Sequence, residues 1–301
     1  MVLNDLKKRF RADYMLYLML LPAIIYFSVF HIWPLIGMKL AFYDYRIIAS
    51  DSIFVGFKYF KQLFDTPLFA NIIKNTVIIS AMKLILIFPL PVMFALLLNE
   101  LRNGAFRRGI QIISYLPHFL SWVVIFGIWV SFLSPSKGIV NMIISVFGFP
   151  TKDFLTDKGS IRWILMWSEA WRSIGWDSII YLAAILGINN DLYEAATIDG
   201  ANRFGIVINI ILPALIVPML TVFILNIGFF MNAGVDQVFT FTNSSVNSVI
   251  DIIDTYVYRV GLIDYQYSFA TAASLFKGII GVTLMLSANY ASKKLTGTGA
   301  W

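Results

Sequence analysis

Six stretches of apolar residues recur along the chain, at about 14–38, 75–99, 110–134, 163–188, 206–232 and 267–291. A hydrocarbon core of about 30 Å needs about 20 helical residues, and each stretch reaches that length. The first, third and fifth hold no Lys, Arg, Asp or Glu. The second is interrupted by Lys83, Pro89 and Pro91, the sixth holds Lys277, and the fourth carries Glu169, Arg172 and Asp177. No sustained alternation of period two runs through them, which argues against a β-barrel. The pattern predicts an all-α integral membrane protein of six transmembrane helices.

The polar connections differ in kind. Residues 135–161 contain an apolar patch, Ile139 to Phe149, predicted to lie on the membrane surface as a short helix. Residues 236–266 are polar and aromatic, with Asp251, Asp254, Tyr256, Tyr258 and Arg259. The connection after the fourth stretch is more elaborate than a turn needs. Asp191 is expected to cap a short helix and Glu194 to reach back in a capping box. Tyr193, Ala196 and Gly200 then share one helical face. Ala195, Ala196 and Ala201 are small enough for close approach, and Gly200 suits a left-handed helix end. Pro213 falls near the start of the next stretch, where its ring and missing N–H disturb the ladder mildly.

Composition agrees with a bilayer. Only 13% of the residues are charged and 59% are hydrophobic, against about 25% charged in soluble domains. There is no cysteine, which excludes disulfides, thiolate metal sites and thiol nucleophiles. A net charge of +6 would suit a nucleic-acid partner, but the cations cluster beside apolar stretches. Lys7, Lys8, Arg9 and Arg11, then Arg102, Arg107 and Arg108, then Lys293 and Lys294 all fall on one side of a six-span chain. The positive-inside rule makes that side the cytoplasm and places both termini there. The lysines of the external connection 39–74 run against this, and Asp44, Asp51 and Asp65 do little to offset them. The first apolar stretch exceeds a signal-peptide core of about 7–15 residues and lacks a clear cleavage site, so an anchor is expected.

The string Glu194-Ala195-Ala196, Gly200, Ile210, Leu212-Pro213 resembles the EAA motif of binding-protein-dependent ABC importer permeases. That pattern is EAA, three residues, Gly, nine residues, Ile-x-Leu-Pro, and all seven fixed positions match. The segments Ser114-Tyr115-Leu116-Pro117-His118-Phe119, Ser121-Trp122-Val123-Val124, Asp251 to Arg259 and Tyr267 to Ala272 are similar to one sugar-importer subgroup. It includes permeases for aldouronate, other polysaccharide fragments and alginate oligosaccharides, and the alginate importers are the nearest likeness.

The resemblance implies a type I ABC importer permease fold on a bacterial inner membrane, with a cytoplasmic coupling helix and oligosaccharide as cargo. It implies an N-terminal segment over 1–70, a permease core over 71–292 and a tail over 293–301. Glu194 would pair with a basic residue of an ATPase subunit, Ala195 and Ala196 would allow close packing, Gly200 would set the bend, and Asp199 and Arg203 would contact the rim. The implied partners are a second, different permease chain, two ATPase subunits and an extracytoplasmic solute-binding protein. ATP and Mg would bind the ATPases; this chain has no phosphate-binding loop and no cofactor or catalytic residue is expected in it.

Other residues carry open readings. Glu169 and Arg172 are three apart and can pair on one face; with Asp177 they line a path or form an internal structural group. Lys83 and Lys277 are expected to snorkel or face another subunit. Trp163, Trp167, Trp171 and Trp176 recur through the fourth stretch and either stack on sugars or form an interfacial belt. Asn226 and Asn232 are expected as buried hydrogen-bonding groups that meet substrate hydroxyls or join helices. Trp167, Trp171, Arg172, Trp176, Asn226 and Asn232 are thus the path candidates. His31 and His118 are the only histidines and form no catalytic cluster, so a metal site is not expected. Two rival functions remain: an ion-gradient transporter using Glu169, Arg172 and Asp177, and a membrane-embedded enzyme.

Overall fold

The computed structural model describes residues 13–46, 52–102 and 104–296. Lys7, Lys8, Arg9, Arg11, Asp51 and the end of the tail lie outside the described residues. The elements in chain order are helix α1 (Tyr14–Phe42), strands β1 (Tyr43–Asp44) and β2 (Ile53–Phe54), α2 (Lys58–Asp65), α3 (Pro67–Glu100), α4 (Ala105–Phe119) and α5 (Trp122–Leu133). They continue as α6 (Ile139–Val146), α7 (Ile161–Leu186), α8 (Asn190–Ile198), α9 (Arg203–Gly228), α10 (Val235–Phe241), α11 (Asn247–Ile250), α12 (Ile253–Tyr258) and α13 (Tyr267–Thr296).

Among the described residues α1, α3, α9 and α13 are long and apolar enough to cross a membrane. α7 has 26 residues, about 39 Å at 1.5 Å each, but its charges set it apart from that apolar group. The third stretch is not the continuous span expected. It breaks into α4 and α5, bent by 109°. Leu116–Phe119 tightens into a 3-10 turn containing Pro117. Ser121 is then extended at φ −67° and ψ 155°, and its side chain accepts from the Val124 N–H to start α5.

Inside α1, α3 and α9 a five-residue π turn ends two residues before a proline: Ser28–Ile32 before Pro34, Lys83–Ile87 before Pro89 and Val207–Ile211 before Pro213. A proline removes one N–H and crowds the carbonyl four residues back. Widening the preceding turn relieves that crowding and keeps the helix running.

The chain forms two units. Of the described residues, those up to 65 with 260–275 make one, and those of 66–259 with 276–296 the other. In the first, the hairpin pairs Tyr43 with Phe54 and Asp44 with Ile53, and Phe42 packs against the rings of Phe57 and Phe60. The Tyr45 N–H donates to Ser268 Oγ at 3.0 Å, and Tyr59 donates to Asp44 at 2.7 Å. Burial, then the Asp44 carboxylate, pushes the Tyr59 hydroxyl up to about 12. A raised folded-state value keeps the proton bound after an unfolded tyrosine has lost it near pH 10. The contribution is therefore full below about pH 10 and declines as pH rises through about 12. Tyr59→Phe should lower stability by about 1 kcal/mol at pH 7. It should also flatten the wild type's fall in melting temperature over that alkaline window, measured in detergent. An equal alkaline fall in both proteins counts against the Tyr59–Asp44 bond.

In the second unit α7 is the central helix. One core joins Ile79, Leu133, Ile164, Leu165, Val238 and Phe241; another joins Val92, Leu98, Tyr181, Ile185, Ile211 and Leu215, with Tyr193 and Val207 against it. The N-terminal end of α7 is tied by Arg162, whose guanidinium donates to Asn75 Oδ1 at 2.7 Å and to the Val249 carbonyl at 3.0 Å. α6 is the short helix expected from the apolar patch. Its Asn141 is buried and donates to the carbonyls of Leu133, Ser134 and Lys152, while Met142, Ile143, Val146 and Phe147 are exposed.

Candidate functional site

Two features of the second unit combine polar chemistry with open surface. The first is a cavity of about 880 Å³. Its wall takes Lys83 from α3, Trp122 from α5, Glu169, Arg172, Trp176 and Asp177 from α7, Asn226 from α9, Asn232 from the chain reversal before α10, and Asp236 from the first turn of α10.

Helical geometry explains which tryptophans reach it. At about 100° per residue, Trp163, Trp167 and Trp171 lie along one stripe of α7, and Trp176 falls nearly opposite with Glu169 and Arg172. The structure accordingly places Arg172, Trp176, Asn226 and Asn232 on the cavity. It places Trp167 and Trp171 in a separate apolar groove with Ile128, Trp129 and Phe132. Asn226 and Asn232 are exposed rather than buried. The Asn226 amide donates to the Val222 carbonyl of its own helix at 2.9 Å, so it does not join helices. The ring of His118 stacks on Trp176, 4.5 Å between centroids and 6° from parallel.

The charges pair otherwise than expected. Glu169 does not bind Arg172; its Oε2 accepts from Lys83 Nζ at 2.9 Å. Lys83 also donates to Gln237 Oε1 at 2.7 Å. Gln237 is fully buried, and its amide nitrogen donates to the Leu165 carbonyl and Ser168 Oγ. Lys83 thus neither snorkels nor faces outward. The low dielectric around it favours a partner within reach over a long extension to water. The ammonium fits because Gly234 has no side chain: a Cβ there would collide with Lys83 Nζ, and φ is +84°. Lys277 is likewise paired, with Asp254 at 2.5 Å. Arg172 instead lies over the Trp122 ring, 5.0 Å from its centroid. Its Nε is buried with no hydrogen-bond partner among the described residues.

The second feature is the elbow between α7 and α9. Asn189, not Asp191, caps α8: its side-chain oxygen accepts from the Asp191 N–H at 3.1 Å, and its amide donates to the Asp191 carboxylate. The capping box with Glu194 is therefore not formed. The helix starts one residue ahead of Asp191, and Asp191 becomes a first-turn anion, where the helix dipole favours it. The other end is as expected. The Gly200 N–H donates to the Thr197 carbonyl and the Ala201 N–H to Ala196, and Gly200 stands at φ +74°. These two bonds around a left-handed residue form a Schellman ending. Asn202 then caps α9 by accepting from the Gly205 N–H at 2.7 Å.

Glu194, Ala195, Asp199 and Gly200 are exposed, and Ala196 is half-buried with Tyr193 on the inner face. Arg203 is tied back to Glu100 at the end of α3, 3.0 Å away. Burial, then the Glu100 carboxylate, raises the Tyr193 hydroxyl above its ordinary value, as its seat against the core requires. Three large apolar side chains are turned outward: Leu192 is 52%, Ile198 85% and Phe204 71% exposed. The elbow is a rigid, small-residue handle whose own chain covers only one side. Neither Gln237 nor Trp122 was a candidate by sequence. A lysine amid apolar residues signals a buried partner, but a partner 154 positions away in the chain leaves no local trace.

Residues 87–296 match the model of the binding-protein-dependent transport system inner membrane component family. The chain is 39% identical to Protein LplB of Bacillus subtilis over 96% of this chain and 92% of the relative. It is also 39% identical to the polygalacturonan/rhamnogalacturonan transport system permease protein YteP of the same organism, over 95% and 90%. Among solved structures, a chain of a bacterial alginate ABC transporter in complex with an alginate pentasaccharide-bound periplasmic protein superposes with a TM-score of 0.90. The two are 38% identical, over 97% of this chain and 98% of that one. The chain belongs to the family of binding-protein-dependent transport system inner membrane components, the permeases of ABC importers.

Proposed function

We propose that this chain is the permease subunit of an ATP-driven importer for oligosaccharides, with uronate-containing chains as its cargo. The observation that carries this reading is the elbow. It presents Glu194, Ala195 and Gly200 together with exposed Leu192, Ile198 and Phe204, a handle that needs a protein partner to cover it. That partner is a cytoplasmic ATPase subunit, of which the complex holds two, and ATP with Mg binds there rather than here. The elbow then lies on the cytoplasmic side of a bacterial inner membrane, the side where Arg102, Arg107, Arg108, Lys293 and Lys294 also fall. The cavity, walled by helices of one chain, becomes half of a path completed by a second, different permease. A solute-binding protein delivers the sugar from outside. ATP and the loaded binding protein act by favouring different packings of the same helices.

The cargo class rests on similarity to proteins that carry polygalacturonan, rhamnogalacturonan and alginate, with an aromatic and polar cavity wall that suits sugar rings and hydroxyls. The test is reconstitution of the full complex in proteoliposomes with its binding protein. Uptake of labelled trigalacturonate should require ATP inside and the binding protein outside. Uptake driven by an ion gradient without the ATPases would instead make the chain a secondary transporter.

A further inference from the structure

We propose that Arg172 is the cavity's carboxylate reader, the group that holds a uronate carboxylate of a passing oligosaccharide. The inference deepens the function proposed above and rests on it.

The wall of the cavity holds two cations and three carboxylates. Lys83 is consumed, bound to both Glu169 and Gln237. Its removal from play also removes Glu169 as a partner for Arg172. Asp177 and Asp236 form no ion pair with the guanidinium. Arg172 is therefore a half-buried cation on a cavity wall with no carboxylate in contact among the described residues. Charges in membrane segments pair or serve transport, because an idle one is costly.

The way Arg172 is held favours binding in one geometry. The guanidinium carbon lies over the Trp122 ring, 5.0 Å from its centroid, and all the N–H donors lie in the plane of the group. The cation–π contact holds the group without a carboxylate, and a carboxylate can meet two of the donors side by side. Trp122 occupies its place because the chain bends at Leu120 and Ser121. Trp176 projects from the same side of α7 one turn further on. His118 stacks on its indole and Phe119 meets it at nearly a right angle; the 40% of Trp176 that stays exposed on the cavity is the surface offered to a sugar ring. A cation and an indole one helical turn apart on the same wall suit a sugar that carries its acid on the ring.

Asp177 and Asp236 give the arrangement its second property. A polyanion held at one point among carboxylates is bound weakly elsewhere. A path needs a site favourable enough to enter and weak enough to leave.

The test uses the full complex in proteoliposomes with trigalacturonate, its methyl ester and maltotriose as probes. Wild type should import the free acid in preference to the ester. Arg172→Gln should raise KM for the acid about tenfold, the range for losing a charge-assisted hydrogen bond, and leave the ester within about twofold. Arg172→Lys keeps the charge but not the fork and should recover part of the acid preference. Should Arg172→Gln not assemble, Arg172→Lys carries the test, and an unchanged acid-to-ester ratio overturns the assignment. Equal loss of acid and ester in Arg172→Gln, or no acid preference in wild type, also overturns it while the importer function stands. If wild type moves none of the three probes with ATP, the functional reading falls and the assignment with it.

Discussion

Gly200→Pro is expected to abolish import and binding-protein-stimulated ATP hydrolysis while the membrane helices stay folded. Gly200 sits at φ +74°, and proline holds φ near −65°. The substitution also deletes the N–H that closes on the Thr197 carbonyl. Together these remove the Schellman ending, at a cost of about 3 kcal/mol to the elbow. The damage stays local, since nothing lies within 4 Å of a Cβ placed there. Gly200→Ala imposes only the left-handed strain, about 1–2 kcal/mol, and should leave partial coupling. Glu194→Ala separates coupling from folding. The Glu194 side chain is exposed and makes no described bond within the chain, and alanine is a good helix former. Its melting temperature should match wild type within about 0.5 kcal/mol of stability, yet stimulated ATPase activity and co-purification of the ATPase should both fall. Full stimulated activity in both Glu194→Ala and Gly200→Pro would falsify the elbow's coupling role.

What could be read in advance follows the range of the interactions. The left-handed position of Gly200 and the two-helix elbow depend on neighbours within a few residues, and residue type alone indicates them. The cap moved from Asp191 to Asn189 because both are good capping residues two positions apart, and only the helix's register chooses between them. The break at Leu120–Ser121 has a visible cause in Pro117 and Ser121, but its 109° depends on what α5 packs against. The division of the α7 tryptophans was legible at 100° per residue, since Trp176 departs from the spacing of four that joins the other three. The opposite holds for Glu169. Arg172 lies within helical reach of it, and nothing nearby in sequence says that Lys83, 86 positions away and itself held by Gln237, a further contact 154 positions from it, will claim Glu169 first.

That claim predicts the largest loss of stability from any single side chain in the cavity wall. Lys83→Met should destabilise the protein by about 3–5 kcal/mol, the usual cost of leaving one member of a buried pair charged and alone. Lys83 and Glu169 keep 18% and 20% of their side-chain surface exposed, which puts the expectation toward the lower end. Glu169→Gln should cost less, because an amide oxygen still accepts from Lys83 and Gln237 still holds the ammonium. Lys83→Met with Glu169→Met should recover most of the loss, since no uncompensated charge remains and the cavity wall gains apolar volume. The measurement is a double-mutant cycle on thermal unfolding in detergent, where residues in direct contact give interaction energies of about 0.5–3 kcal/mol. Additive losses in the double variant would mean that the pair is not coupled. A recovered but transport-dead double variant would place the charges in the path itself. In that case Arg172, now beside two methionines, would keep its cation–π contact with Trp122 and lose only the field of its neighbours.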